Sequence, residues 1–224
     1  MRWAFEYDAA GYPTVDEGDS GDDGTVDSVW TYHYESGDLL DYQGDDGVDG
    51  DLDFSYVATY EDHLVQTAET DGDGDDKVEQ ASFYTYDDDR LTMAEHDSAD
   101  EGMMIDGTID LRSTYVYDGD LLDHVDHDYD LDGTREDVTT YDHDGDGNIV
   151  AQTSDYGDDG TADYVATWTY DAAGHVVGQT IDVDPTTPEP DLVMTSTWAG
   201  DDIQTRQTEI FGDATLETYL YDCE

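Results

Sequence analysis

The sequence predicts an all-β protein built from one repeated strand–turn–strand unit. Apolar and polar residues alternate over short stretches, which is typical of half-buried strands. An aromatic residue closes such a stretch at intervals of 23 to 31 residues, and a recurring interval of this length is typical of repeat architectures. These aromatic residues, which we call anchors, are Tyr7, Tyr34, Tyr60, Tyr86, Tyr117, Tyr141, Tyr170, Trp198 and Tyr221.

A turn and a second apolar segment follow each anchor except the last. DAAGYPTV follows Tyr7 and EDHLVQTA follows Tyr60, and both read as a turn that leads into a strand. Counting one strand on each side of the anchors gives about 17 short strands and no helix. The sequence therefore predicts a single β-repeat domain, residues 1–224, with about eight repeats of roughly 27 residues and a terminal half-repeat.

Two arrangements of these strands are compatible with the repeat. Successive hairpins can form an antiparallel meander sheet, or each repeat can form one coil of a parallel β-solenoid. We favour the meander and keep the solenoid as the alternative. In both arrangements the acidic loops between repeats line one edge of the sheet.

The charge of the chain restricts its partners. Sixty-one acidic residues against six basic ones give a formal net charge of -55 at pH 7. This charge argues against nucleic acid and anionic membranes as partners and favours cations. No apolar stretch is long enough to insert into a membrane. A single cysteine, Cys223, allows neither an intrachain disulfide nor a cysteine zinc site.

The acidic residues fall in phase with the anchors. A surface adapted to high salt would also be acidic, but it would not produce this phase. An acidic residue stands seven positions before six of the eight later anchors, and these residues are Asp27, Asp53, Glu79, Asp110, Asp163 and Asp191. Four of the loops that contain them resemble calcium-binding loops of the form D-x-D-x-D-G in the spacing of their oxygen ligands. The loop before Asp110 keeps only Asp106 and Gly107 of this pattern, and the loop before Asp191 keeps almost none of it.

The phase predicts a row of metal sites. A group on the opposite, tyrosine-turn side of the repeat, Asp142 with Asp144 and Asp146, has a similar spacing. The candidate metal ligands are, loop by loop, Asp19, Asp23 and Asp27; Asp45, Asp49, Asp51 and Asp53; Asp71, Asp73, Asp75 and Glu79; Asp106 and Asp110; Asp128, Asp130, Asp132 and Glu136; Asp142, Asp144 and Asp146; and Asp155, Asp159 and Asp163.

Calcium is the predicted cofactor, with several ions bound. Ca²⁺ prefers six to eight oxygen ligands, and a tight Asp/Gly loop can supply carboxylate and carbonyl oxygens, whereas the strict octahedron of Mg²⁺ fits such loops less well. An EF-hand is excluded because position twelve of the loops is not glutamate, being Trp30 when counted from Asp19 and Ser82 when counted from Asp71. Bound cations would also relieve the repulsion between neighbouring acidic loops.

Three segments, FEYDAAG, YVYDGDL and WTYDAAG, resemble the YD repeats of Rhs, wall-associated and teneurin-type proteins. The resemblance covers nearly the whole chain. It implies β-hairpins that follow one another in a long antiparallel sheet, and it implies a large extracellular or secreted protein. The chain departs from the family by inserting an acidic loop into almost every repeat and by placing Leu, Ile or Val where arginine usually follows the turn glycine. An open ribbon, superhelix or rod is therefore expected rather than a closed shell.

The functional predictions follow from these features. No nucleophile, base and orienting group recur together, so we expect a protein that is not an enzyme; His124, His127 and His143 are scattered near turns. The first hypothesis is a calcium-stabilised extracellular or cell-surface structural protein that assembles head to tail into a rod or filament, because a strand without a following partner is expected at each end. The alternatives are an adhesin or glycan-binding module that uses the aromatic face, and a fragment of a larger Rhs-like secreted protein.

Overall fold

The computed structural model describes residues 2–99, 103–187, 189–200, 202–210 and 213–218. Strands, loops and turns account for all of these ranges, which contain no helix and hence none that is long and apolar enough to cross a membrane. The all-β prediction is confirmed. The predicted anchor Tyr221 and the single cysteine, Cys223, lie outside the described residues.

The strands are six to nine residues long, a usual length for globular proteins. Within the described ranges they are β1 (Arg2–Tyr7), β2 (Pro13–Asp19), β3 (Ser28–Glu35), β4 (Asp38–Asp46), β5 (Phe54–Glu61), β6 (Leu64–Asp71), β7 (Gln80–Asp87), β8 (Arg90–Ser98), β9 (Leu111–Asp118), β10 (Leu121–Asp128), β11 (Asp137–His143), β12 (Ile149–Tyr156), β13 (Tyr164–Tyr170), β14 (Val176–Asp182), β15 (Leu192–Ala199), β16 (Asp202–Ile210) and β17 (Asp213–Thr218).

The chain divides into two compact units, residues 1–112 and 113–224, and β9 begins in the first and continues in the second. In the first unit each strand from β1 to β7 pairs antiparallel with the next, so that the pairing runs from β1 through β8. In the second unit the strands from β10 to β17 do the same. This pairing confirms the antiparallel meander and excludes the parallel solenoid. The single domain over residues 1–224 stays a prediction.

The strand register shifts at the predicted anchor in six hairpins of the described residues, as in a β-bulge. The pairing register shifts immediately before Tyr7, Tyr34, Tyr60, Tyr86, Tyr170 and Trp198. In the turn after Tyr170, the Asp171 N–H donates to the His175 carbonyl at 3.0 Å and the Gly174 N–H donates to the Asp171 carbonyl at 3.1 Å. Gly174 has a φ of 87°, which L residues rarely adopt, and this explains the glycine of the YDAAG turn.

One anchor differs from the prediction. In the hairpin of β11 and β12 the register shift comes immediately before His143, two residues after Tyr141. With His143 as the anchor, the intervals to Tyr117 and Tyr170 become 26 and 27 residues, which match the other repeats better. The prediction of Tyr141 was wrong because the bulge position accepts an imidazole as well as a phenol or an indole ring.

The polar tips of the anchors connect neighbouring hairpins. The observed pairs of donor and carbonyl acceptor are Tyr60 Oη to Leu39 at 2.9 Å, Tyr170 Oη to Ile149 at 2.7 Å and Trp198 Nε1 to Val176 at 2.9 Å. Each acceptor belongs to the second strand of the preceding hairpin. Trp198 can serve as an anchor in the same way as a tyrosine, because its indole N–H is also a hydrogen-bond donor on a large ring.

The acidic residue seven positions before the anchor closes each acidic loop. The Asp163 N–H donates to the Ser154 carbonyl at 2.9 Å, and the Asp163 carboxylate accepts the Tyr156 N–H at 2.7 Å. The carboxylates that accept a backbone N–H from the first residues of their loop belong to Asp27, Asp53, Glu79, Asp110, Glu136, Asp163 and Asp191. We call these residues loop-closing. Glu136 stands seven positions before His143, so the corrected anchor restores its phase.

The core consists of small buried residues and partly exposed aromatic ladders. No large side chain is fully buried in the part of the chain that the structure describes. In the first unit the Tyr42 ring lies 5.3 Å from Phe54 and 5.0 Å from Tyr56, measured between centroids. Trp30 lies over its cross-strand partner Gly44, where a Cβ atom would come within 2.8 Å of the indole ring. These cross-strand contacts take the place of a second layer in stabilising the sheet.

Replacing Tyr170 by Phe keeps the ring and removes the hydroxyl that binds the Ile149 carbonyl. We expect the free energy of unfolding to fall by about 1 kcal/mol, because the carbonyl loses its partner. Denaturant titration measures this change. Tyr7→Phe is the matched control, because Tyr7 is an anchor whose hydroxyl has no partner among the described residues. An equal loss in both variants would contradict the bridging role of the anchor.

Asp163→Ala removes a loop-closing carboxylate and leaves the Tyr156 N–H without an acceptor. The expected loss of stability is about 1–2 kcal/mol, with faster hydrogen exchange at the Tyr156 amide. Asp163→Asn keeps an acceptor oxygen and should lose less. Asp120→Ala, in an exposed turn of the same unit, should have little effect. Unchanged exchange at Tyr156 in Asp163→Ala would show that this residue does not close the loop.

Candidate metal centres

Each acidic loop begins with an aspartate whose carboxylate folds the loop back on itself. The Asp155 carboxylate accepts the Asp159 N–H at 3.0 Å and the Gly160 N–H at 2.8 Å, and the Asp159 carboxylate accepts the Thr161 N–H at 2.8 Å. We call the first residue loop-opening. The loop-opening residues whose carboxylates accept such bonds are Asp19, Asp45, Asp71, Asp97, Asp128 and Asp155.

Asp97 is a loop-opening residue that the sequence analysis missed. It is only 2% exposed, and one carboxylate oxygen accepts the Gly107 N–H at 2.9 Å. The motif was hidden because ten residues separate Asp97 from this glycine, against five between Asp155 and Gly160. Counting forward from the anchor would have found it, because Asp97 follows Tyr86 by eleven residues, the distance from Tyr60 to Asp71.

Two loops bring their carboxylates together. In each, four side chains offer one oxygen apiece, and these oxygens all lie within 4.8 Å of one another. The first cluster consists of Asp71, Asp73, Asp75 and Glu79, and the second consists of Asp128, Asp130, Asp132 and Glu136. Both loops are closed by glutamate. The longer side chain lets one carboxylate bind the backbone of its loop and still reach the aspartates.

Each cluster also contains a buried carboxylate oxygen without a hydrogen-bond partner. These atoms are Oε1 of Glu79 and Oδ1 of Asp128. A buried, unpaired carboxylate oxygen is costly, so such atoms are rare in stable proteins. A bound cation would satisfy both oxygens, and this observation is independent of the acidic composition of the loops.

The donor atoms fit a hard divalent cation. All four side chains in each cluster are carboxylates, the ligand type that Ca²⁺ and Mg²⁺ prefer. Ligands on opposite sides of a calcium ion, each about 2.3–2.6 Å from it, are about 5 Å apart. Oxygens already within 4.8 Å of one another can therefore surround one ion with little rearrangement. Backbone carbonyls and water would complete the six to eight ligands that calcium needs.

The two clusters differ in their contacts with basic side chains. The Lys77 ammonium contacts the Asp75 carboxylate in the first cluster, and this hydrogen bond raises the pKa of Lys77. Arg135, beside the second cluster, instead binds Asp126 at 3.0 Å and Asp158 at 2.8 Å. The carboxylates of the second cluster are thus not paired with arginine. We expect the second cluster to bind a metal ion with less competition.

Several loop carboxylates are held in the ionised form that a metal requires. The Thr134 hydroxyl and backbone N–H lower the pKa of Asp132, and the Ser20 hydroxyl and N–H lower the pKa of Asp27. Thr108 does the same for Asp106. A lowered pKa keeps these groups charged to a lower pH than free aspartate.

The remaining predicted ligands lie in the loops where the sequence placed them, but their oxygens do not converge to the same degree among the described residues. These are Asp19, Asp23 and Asp27; Asp45, Asp49, Asp51 and Asp53; Asp106 and Asp110; and Asp155, Asp159 and Asp163. Most of their carboxylate oxygens bind backbone N–H groups instead. Metal binding at these loops stays a prediction.

Asp144 has a turn role rather than a place in a convergent cluster. Its N–H donates to the Asn148 carbonyl at 2.9 Å, and its carbonyl accepts the Gly147 N–H at 3.2 Å. Asp171 makes the same two bonds in the YDAAG turn. Asp144, flanked by the predicted ligands Asp142 and Asp146, is therefore the aspartate that follows an anchor, and the D-x-D-x-D-G-N spacing has a structural explanation.

Two serine–histidine pairs were not anticipated from the sequence. Ser82 Oγ lies 2.8 Å from His96 Nδ1, and Ser113 Oγ lies 2.9 Å from His127 Nδ1. His124 contacts Asp123 at 2.7 Å instead of joining His127. His124, His127 and His143 therefore form no convergent metal-binding group in the described ranges. Cross-strand register would have revealed both pairs, because the serine and histidine lie 14 residues apart in each.

Comparison with known proteins identifies structural similarities only. No family model matches the sequence, and no curated protein matches it. The crystal structure of TcdB2-TccC3 aligns over 95% of this chain and 13% of its own chain, with 16% identity and a TM-score of 0.48. A TccC3 variant of the Photorhabdus luminescens Tc holotoxin pore aligns over 96% and 14%, with 12% identity and a TM-score of 0.41.

A porin-like protein from Bacteroides uniformis aligns over 92% of this chain and 88% of its own, with 16% identity and a TM-score of 0.46. The chain spans about one seventh of the length of the two toxin chains. Because these three TM-scores are below 0.5, the similarities assign neither a family nor a function. The fold established by the strand pairing is that of a β-repeat protein.

Proposed function

We propose that the chain is a calcium-stabilised β-repeat protein with a structural role outside the cell. The observation that carries this proposal is the pair of four-carboxylate clusters, each with one buried oxygen that lacks a partner. Two features are expected of a structural metal site: oxygen ligands that already converge in the folded chain, and a metal-free form that is destabilised by unpaired buried oxygens. Both are present in the loops closed by glutamate.

Electrostatics supports a stabilising role for the ion. Two unit charges 4.8 Å apart repel by about 0.9 kcal/mol even in water, and the six pairs within one cluster sum to about 5 kcal/mol. That repulsion is comparable with the lower end of the stability of a typical domain, about 5–15 kcal/mol. A divalent cation bound only by the folded loop removes the repulsion and adds its binding free energy to folding.

A calcium requirement would explain why the protein acts outside the cell. Calcium sites in extracellular modules have dissociation constants of about 0.1–1 mM, which suits the calcium concentration outside cells. The loops would be empty during synthesis and filled after secretion. The folded chain would then reach its full stability outside the cell, where a structural protein acts.

Head-to-tail self-assembly is the second part of the proposal. The strand β1 exposes Trp3, Phe5 and Tyr7, which are 48%, 51% and 60% exposed and alternate along the strand on one face. An exposed aromatic strand is a ready site for pairing with another chain. A glycan-binding or adhesin role, and a place within a larger Rhs-like secreted protein, are the alternatives.

Removal of calcium by a chelator at low salt should lower the melting temperature and weaken the β-sheet circular dichroism signal. The reason is that the unscreened repulsion within the loops returns when the ion leaves. Asp73→Asn and Asp130→Asn should each lose about one bound ion by native mass spectrometry. Asp120→Asn is the control for the loss of one charge. An unchanged melting temperature in chelator would refute calcium stabilisation.

Millimolar calcium should produce linear assemblies visible by electron microscopy. Phe5→Lys should reduce them, because a charge on the exposed aromatic face disfavours pairing. Val57→Lys, at another exposed position, should leave them intact. Monodisperse monomers at high protein concentration with calcium would reject self-assembly while leaving the calcium role in place.

A further inference from the structure

A groove between successive hairpin turns has the composition of a binding site. It has a volume of about 700 Å³ and lies in the second unit between the turn after β11 and the turn after β13. Trp168 and the anchor Tyr170 line one side, and Asp144 and Asp146 line the other. Ligand sites usually have volumes of about 300–1,000 Å³ and combine apolar rings with a few placed polar groups.

The same groove recurs at other hairpin pairs. A groove of about 320 Å³ in the first unit is lined by Glu61 and Asp62 from one turn and by Tyr84 and Tyr86 before the next. A third, of about 250 Å³ in the second unit, has the anchor His143 in the position of Tyr86. In each groove, one side is therefore lined by the anchor and the residue two positions before it. The other side is lined by acidic residues of the preceding turn.

Hydrogen bonds hold the residues that line the groove at Trp168, between the turn after β11 and the turn after β13. The Tyr170 hydroxyl is tied to the Ile149 carbonyl at 2.7 Å, which holds the ring. The Asp144 carboxylate accepts the Asp146 N–H at 2.9 Å and the Asn148 N–H at 3.0 Å, and these bonds orient it. The groove is thus preorganised, which lowers the cost of ligand binding.

The Trp168 ring has no aromatic partner among the described residues. Trp198, in contrast, stacks on His175 with a centroid distance of 4.7 Å. Trp168 is half-buried and lines the groove, so part of its face is open to a ligand. Of all side chains, tryptophan offers the strongest cation–π interaction.

The charges in the groove select the ligand. Three carboxylates line it, from Asp144, Asp146 and Asp171, and none of the described lining residues is lysine or arginine. An anion would be repelled by these carboxylates. An organic cation can pair with the carboxylates and also stack on the indole.

We propose that this groove binds an alkylammonium ion, with the ammonium group between Asp144 and Asp146 and the alkyl chain on Trp168. The site lies on the hairpin-turn side of the repeat, away from the two four-carboxylate clusters on which the calcium proposal rests. The same chemistry can be supplied by a free amine or by a lysine side chain. The recurrence of the groove would allow a ligand with several amines to bind at more than one repeat.

The test uses the full ¹⁵N-labelled chain with saturating calcium at about 0.15 M salt, where long-range charge effects are screened. The probes are 1-aminobutane, which is cationic at neutral pH, and 1-butanol, its neutral counterpart of similar shape. The four indole N–H signals are followed, and the Trp168 signal is assigned by its loss in Trp168→Phe. We expect 1-aminobutane to shift this signal saturably and 1-butanol to leave it in place.

Variants separate the groove from general attraction to an acidic protein. Asp146→Asn should weaken amine binding several-fold and Trp168→Ala by about tenfold. Asp89→Asn, in an exposed turn outside the groove, should not weaken it. A lysine-containing peptide that shifts the same signal would identify the source as protein, and spermidine would identify a free amine.

Three results would overturn the proposal. They are an unmoved Trp168 signal, an equal shift with 1-butanol, and a parallel shift of all four indole signals. An equal effect of Asp89→Asn and Asp146→Asn would overturn it as well, because binding would then follow net charge. Asp146 is exposed, so its variant is expected to fold even where Trp168→Ala does not.

Discussion

The paired hydrogen bonds of the loop-closing carboxylate are the constraint on which the rest of each repeat depends. Asp163 stands at the end of its acidic loop, and its backbone N–H and its carboxylate both bind the start of that loop, at Ser154 and Tyr156. Each loop-closing residue stands immediately before the following strand and seven residues before its anchor. A meander built from such repeats has acidic loops at one edge of each sheet and aromatic hairpin turns at the other.

Carboxylates in these loops either bind the loop backbone or remain available to a cation. The number of carboxylate oxygens without a hydrogen-bond donor distinguishes the two roles. Loop-opening residues such as Asp155 spend both oxygens on backbone N–H groups, so their negative charge is largely compensated by the peptide dipoles. Glu79 and Asp128 retain a buried oxygen with no donor. The buried Oδ1 of Asp97 also lacks a donor, but no convergent group of carboxylates surrounds it among the described residues. The loops closed by glutamate combine an unpaired oxygen with convergent carboxylates, and this combination favours a cation there.

The absence of large, fully buried side chains among the described residues places the stability in contacts along the sheet. Trp30 over Gly44, the rings around Tyr42 and the bond from Trp198 to the Val176 carbonyl all connect adjacent strands. Such contacts act between neighbours, as in other repeat proteins. They leave the aromatic faces partly exposed, and the groove at Trp168 uses one of these faces.

The sequence by itself determined the strand content, the repeat and the positions of most loop carboxylates, because alternation and phase are local properties of the chain. The antiparallel pairing was favoured from the sequence and decided only by the register of the strands. The structure alone identified His143 as an anchor and Asp97 as a loop-opening residue, because a bulge and a longer loop shift the phase without changing the fold. It alone also distinguished the clusters at Glu79 and Glu136 from the other loops. Convergence of oxygens depends on how far a closing side chain reaches across a folded loop, and residue spacing does not encode that distance.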